Sequence, residues 1–237
     1  MNFDDNVIGG QVTTFGFSNF NPAGLDTDNT INITFAIDVS PSIEDYENPL
    51  NEMFRGFLEN IQKSHVADNV LVKIVRFNEK VEELNAFQPI KSIGLNQYEF
   101  RASGRSTALF AAVKTSIEKS IEYHETLEDS GVNVKSLVFI ITDGEDMASR
   151  SMGVNASDVK KILVDFKKAE KNAFSFETIM FGVGNAANFK KAQEDMGIEH
   201  LFKVGDTPEE IRTVMGGIIS QSVSRSASNA GASAIVF

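Results

Sequence analysis

The stretch ITFAIDVSPSIEDY, residues Ile33–Tyr46, runs apolar through Phe35, Ala36 and Ile37 and then sets Asp38, Ser40 and Ser42 at alternating positions. A β-branched and aromatic run that stops at a carboxylate reads as a strand whose last residue opens a loop. Residues i, i+2 and i+4 of an extended segment point to one side, so a carboxylate and two hydroxyls can converge on one point. That is part of an oxygen shell for a hard cation such as Mg²⁺, which takes oxygen ligands in near-octahedral geometry and keeps several waters. Taken alone, such a segment is more often a helix-capping turn, with Ser42 ahead of Glu44 and Asp45 as the N-cap.

The rest of the chain gives this strand its neighbours. Short β-rich runs at 31–38, 70–78, 81–86, 136–142, 174–181 and 200–204 alternate with segments of helical period at 44–63, 108–127, 157–171, 188–196 and 207–220. In the helix at 44–63, Leu50, Met53, Phe54, Phe57, Leu58 and Ile61 recur at helical spacing. The pattern predicts an α/β fold: a doubly wound, mostly parallel six-stranded sheet with helices on both faces. Only Glu79 and Lys80 separate the second and third runs, which predicts a hairpin and one antiparallel edge strand. Residues 1–30 read as an N-terminal extension, 31–220 as the domain and 221–237 as a flexible tail.

Composition narrows the functions. The 237 residues carry a formal charge of -11, which opposes binding to nucleic acid or anionic lipid. There is no cysteine, so thiolate nucleophiles, disulfides and thiolate zinc sites are excluded. No apolar run approaches the roughly 20 residues of a membrane span, and the start lacks the pattern of a signal peptide. A cytoplasmic location is the expectation. His65, His124 and His200 show no paired ligand spacing and read as structural. GVGNAA at 182–187 lacks the third glycine of a dinucleotide-binding loop.

In an open α/β sheet, ligands gather outside the carboxyl ends of the strands. IITDGED, residues 140–146, ends the fourth predicted strand as Asp38 ends the first, so Asp143 brings a second carboxylate to that edge. Glu145 and Asp146 read as a solvated acidic loop. ASGRSTALF, residues 102–110, precedes a long helix, with Gly104 freeing the backbone and Thr107 offering a further neutral oxygen, or simply capping the helix. Together these segments resemble a von Willebrand factor type A (VWA) domain with a metal-ion-dependent adhesion site (MIDAS). Asp38, Ser40 and Ser42 stand in the family's D-x-S-x-S motif, Thr107 at its threonine and Asp143 at its aspartate, and FGVGN at 181–185 is similar to its fifth-strand exit.

The resemblance implies that Ser40, Ser42 and Thr107 contact the metal directly, with Asp38 and Asp143 acting largely through water. It implies Mg²⁺, with Mn²⁺ or Ca²⁺ as alternatives, and a protein partner that offers an Asp or Glu to the open coordination position. It implies an intracellular adaptor in stress, AAA+ ATPase-associated or phage and defence systems. Two residues depart from the common pattern: Pro41 between the serines stiffens the loop, and Arg105 could screen the site or meet an acidic ligand. An enzyme is not expected. A haloacid-dehalogenase-type phosphohydrolase needs a second Asp where this chain has Ser40. A structural or assembly role is the other reading, through an added strand at Phe15–Asn21 or self-association by the apolar end Ile235-Val236-Phe237.

Overall fold

In the computed structural model, which describes residues 30–169, 174–185 and 187–228, the apolar runs pair into one seven-stranded sheet. The strands are β1 (Thr30–Asp38), β2 (Val70–Phe77), β3 (Val81–Glu83), β4 (Gln88–Pro89), β5 (Val134–Thr142), β6 (Phe176–Val183) and β7 (His200–Val204). Their order is β3-β2-β1-β5-β6-β7, with β4 also on β2. β1, β2, β5, β6 and β7 are parallel, whereas β3 and β4 are antiparallel to β2. The chain therefore leaves β1 for one side of the sheet and later returns to its other side at β5. This makes the gap between the carboxyl ends of β1 and β5 the topological switch point.

The helices are α1 (Glu47–Gln62), α2 (Leu109–Asp129), α3 (Ala156–Lys167), α4 (Phe189–Met196), α5 (Pro208–Glu210) and α6 (Gly216–Ser228), with a π-helical turn at Ile211–Met215 joining the last two. Strand alternation sorts them. Ile33, Phe35 and Ile37 of β1 join Phe54 and Phe57 of α1 and Ile219 and Val223 of α6 in one core layer. On the other face Ala36 meets Leu109, Ala112 and Val113 of α2, in a layer that also holds residues of α3 and α4. Phe35 packs edge-on against Phe54 and Phe57, with ring centroids 5.3 and 5.1 Å away, so part of the phenylalanine content is core packing at the centre of the sheet.

Three departures from the sequence expectation bear on the architecture. The predicted edge strand at 81–86 shortens to β3, and a further two-residue strand beyond it, β4, also pairs with β2, which accounts for seven strands rather than six. At the break the Asn85 side chain imitates a peptide unit: its Oδ1 accepts from Ile74 N at 2.7 Å and its Nδ2 donates to Val72 O at 3.0 Å. The helix expected from residue 44 is preceded by a 3₁₀ turn, Pro41–Tyr46. The last helix runs through the expected Ser220 end to Ser228. Its Ile219, Ser222, Val223 and Ser226 are buried at helical spacing, because small serines let the helix lie close to its neighbours. The segment Phe15–Asn21 and the end Ile235–Phe237 lie outside the described residues. Among those described, no helix is long and apolar enough to cross a membrane.

One carboxylate in the sheet has an expected consequence. Glu177 on β6 is pushed up to about 7 by burial and by the neighbouring Glu199 carboxylate, and its Oε2 has no hydrogen-bond partner among the described residues. A raised acid contributes its full stability below its ordinary value and loses it as pH climbs through the raised one. Glu177→Gln should therefore stabilise the fold by about 1–2 kcal/mol near pH 8, allowing for partial solvent screening, and by almost nothing near pH 4. Urea unfolding at the two pH values measures the difference; equal effects at both would exclude this origin.

Candidate metal centre

Asp38 closes β1 and is fully buried beside Thr142, the last residue of β5. Its Oδ1 accepts from Ser40 N at 2.8 Å and its Oδ2 from the Thr142 hydroxyl at 2.6 Å. Burial pushes its carboxyl up to about 6, against the lowering effect of those two donors. Thr142 is the residue the sequence reading passed over: it stood there only as part of a motif. The parallel β1–β5 register, which pairs Ile37 with Ile141, aims its hydroxyl at Asp38.

Extended backbone ends at Ser40, with φ -66° and ψ 165°. The expected convergence of Asp38, Ser40 and Ser42 from an extended segment is thus corrected. Pro41 opens a 3₁₀ turn, for which its fixed φ is suited, and that turn swings Ser42 back toward the site. Ser40 Oγ and Ser42 Oγ are 3.2 Å apart, and Ser42 Oγ donates to Asp143 Oδ1 at 2.9 Å. Burial raises the Asp143 carboxyl above its usual range, opposed by the Ser42 hydroxyl.

Thr107 arrives from the third segment. A Cβ added to Gly144 would stand 3.7 Å from Ser42 Oγ and 3.8 Å from Thr107 Oγ1, so both hydroxyls face the Gly144 backbone across a space that a side chain would fill. The Thr107 carbonyl accepts from Met147 N and Ala148 N, at 2.8 and 3.0 Å, and ties this segment to the loop after β5. All five residues named from the sequence are thereby brought to one edge.

The helix-capping alternative for these hydroxyls is not what is observed. Neither the 3₁₀ turn after Ser40 nor α1 has a side-chain cap. At α2 the first-turn N–H groups are served from another loop: Asp146 Oδ1 accepts from Phe110 N at 3.1 Å and Ser149 Oγ from Ala111 N at 2.9 Å, while Ser149 donates to Asp146. Asp146 is therefore a half-buried cap rather than part of a solvated acidic loop, and it leaves the Thr107 hydroxyl unused by the helix.

The loop before Thr107 is held by the β2–β3 hairpin. Glu79 Oε2 accepts from Arg105 N at 2.7 Å, and this contact holds the Glu79 carboxyl below its usual range. Gly104 has φ +83°, and a Cβ there would meet Glu79 and Asn78 side-chain atoms within 2.1–2.8 Å, so only glycine fits. On the opposite flank, the Tyr46 hydroxyl lies 2.7 Å from where a Gly184 Cβ would stand, closing the Pro41–Tyr46 turn onto the exit of β6.

The chemistry of this donor set suits a hard cation. Two carboxylates and three hydroxyls supply oxygen only, and the Ser40 and Ser42 hydroxyls now bond each other and Asp143, a role an ion would take over. Among the described residues no group of three or more His, Asp or Glu is placed to hold a metal, so any ion here would meet mainly neutral ligands. The histidines stand apart from such a role: His65 is exposed, His200 is half-buried, and buried His124 bonds Ser136 Oγ at 2.9 Å through Nδ1.

No protein-family model and no curated protein matches the chain. Solved structures do. Proximal thread matrix protein 1 from the mussel byssus, with a zinc-occupied MIDAS motif, is 17% identical with a TM-score of 0.55 over 83% of this chain and 49% of that one. The ArnB paralog VWA2 from Sulfolobus acidocaldarius is 18% identical, with a TM-score of 0.51 over 81% of this chain and 45% of that one. The fold is VWA-like. The pilus adhesin SpaC from Lactobacillus rhamnosus GG, in its open conformation, extends the group at 11% identity and a TM-score of 0.59, covering 86% of this chain and 31% of SpaC. The chain thus spans about half or less of each of these three solved structures.

Proposed function

We propose that the chain is a metal-dependent binding module in which Asp38, Ser40, Ser42, Thr107 and Asp143 hold a divalent cation, Mg²⁺ in preference to Mn²⁺ or Ca²⁺, and the cation grips an Asp or Glu of a partner protein. One observation carries this reading: hydroxyls from two separate segments converge on the Gly144 backbone beside two carboxylates at the β1–β5 switch point, and no helix end claims them. The zinc-occupied MIDAS of the VWA-like byssus protein lends the same reading support. With each Asp38 oxygen already accepting a hydrogen bond, from Ser40 N and Thr142 Oγ1, Asp38 acts chiefly as an orienting group and the hydroxyls as ligands. A cation facing mainly neutral oxygens retains charge for an incoming carboxylate. This chain's own part is to position the hydroxyls and keep one side open, which is binding work; we assign it the role of an intracellular adaptor.

The test is calorimetric. Mg²⁺ titrated into chelator-stripped protein should bind at a single site, and the Asp143→Ala variant should lose most of that heat. Wild-type protein that gives no heat and no shift of its thermal midpoint with Mg²⁺ would refute the assignment.

A further inference from the structure

We infer that a groove beside the metal centre takes a second acidic side chain of the same partner segment, so the preferred ligand is an acidic peptide run rather than an isolated carboxylate. This deepens the metal-centred reading and rests on it. The groove has a volume of about 410 Å³, and its lining includes Val39 and Ser103, the cations Arg76, Lys80 and Arg101, and one carboxylate, Glu82. Its floor is continuous with the site: Val39 lies between Asp38 and Ser40, and its carbonyl accepts from Ser103 N at 2.7 Å. In an extended peptide, a residue two places along from the metal-bound one lies about 7 Å further on, a short step for a groove that shares Val39 with the Asp38–Ser40 segment.

Charge selects the occupant. The chain as a whole carries -11 and repels acidic ligands, yet the groove lining sets three cations against the single carboxylate of Glu82, and Arg105 is exposed on the loop that leads to Thr107. Lys80 forms no ion pair among the described residues. Arg76 pairs with Glu82 and Arg101 with Glu99, but both pairs are substantially exposed, and such surface pairs exchange partners at little cost. Arginine presents a planar fork that matches a carboxylate, so Arg101 and Arg76 suit an Asp or Glu arriving along the groove.

The experiment uses two fluorescein-labelled peptides, one with a single glutamate among Gly and Ser, the other with the same glutamate followed by alternating aspartates, titrated by fluorescence polarisation with Mg²⁺. The acidic-run peptide should bind about tenfold more tightly, and the gap should close with added salt. The double variant Lys80→Glu, Arg101→Glu should bind both peptides alike, with its thermal midpoint checked against wild type. Equal binding of the two peptides by wild type, or an unaltered preference in the variant, overturns the groove. Protein that takes up Mg²⁺ in calorimetry but binds neither peptide also overturns it while leaving the metal centre standing; protein that takes up no Mg²⁺ refutes the metal reading itself.

Discussion

Exchanging Asp38 for asparagine is expected to stabilise the metal-free chain while cutting its Mg²⁺ affinity by about 10- to 100-fold. The two effects share one cause. Asp38 is fully buried, and its carboxyl is pushed up to about 6, so near pH 8 the chain holds a desolvated charge that only the Ser40 N–H and the Thr142 hydroxyl offset. A raised acid gives its stabilisation below the ordinary value of 3.8 and forfeits it as pH rises through 6. Asparagine keeps the shape: its oxygen can accept from Ser40 N and its amide can donate to Thr142 Oγ1. Removing the charge should gain about 1–3 kcal/mol near pH 8 in chelator and nothing near pH 3. The same charge orients the Ser40 loop and complements the cation, so its removal weakens metal uptake. Urea unfolding in chelator and calorimetry with Mg²⁺ measure the two effects separately. A variant less stable than wild type near pH 8 would refute the buried-charge penalty, and unchanged Mg²⁺ affinity would refute the role of Asp38 in metal uptake.

Lys73→Ala should destabilise the fold by about 3–5 kcal/mol, the range for breaking a buried pair from one side. Lys73 Nζ lies 2.5 Å from Glu83 Oε2, both side chains are 6% exposed, and the ammonium also donates to Asn85 O at 3.2 Å and sits over the Phe87 ring. Alanine leaves the Glu83 carboxylate buried without its cation. The double variant Lys73→Met, Glu83→Leu removes both charges and should return to within about 1 kcal/mol of wild type, because the pair's attraction roughly balances its desolvation. Lys73 and Glu83 join β2 to β3, the hairpin whose Asn78 and Glu79 hold the loop before Thr107, so Lys73→Ala should lower Mg²⁺ affinity as well. Chemical denaturation of the single and double variants closes the cycle; a single variant costing less than about 1 kcal/mol would mean that water reaches the pair.

The alternation of β-rich and helical runs was enough to name the fold class and the antiparallel hairpin, because a two-residue side-chain period and a 3.6-residue one are local properties. The broken edge strand was not legible, since it depends on Asn85 finding Ile74 and Val72 on the neighbouring strand. The helix beyond Ser220 was missed for a related reason. Serine and alanine at 220–228 look like solvated tail until α1 and β1 bury Ser222 and Val223. Likewise Asp146 looked like a loop charge until α2 brought Phe110 N to it across 36 residues.

What the amino-acid order alone determined is the inventory: oxygen ligands without sulfur, an acidic chain, and three short segments each ending at a predicted strand or starting at a predicted helix. Whether those hydroxyls cap helices or face one another is a question about distances between residues about a hundred positions apart, such as Ser42 and Asp143. No local pattern encodes that distance. It is decided by the parallel register of β1 on β5, which sets Thr142 against Asp38, by the Pro41 turn that brings Ser42 back, and by Asp146 relieving Thr107 of the helix end.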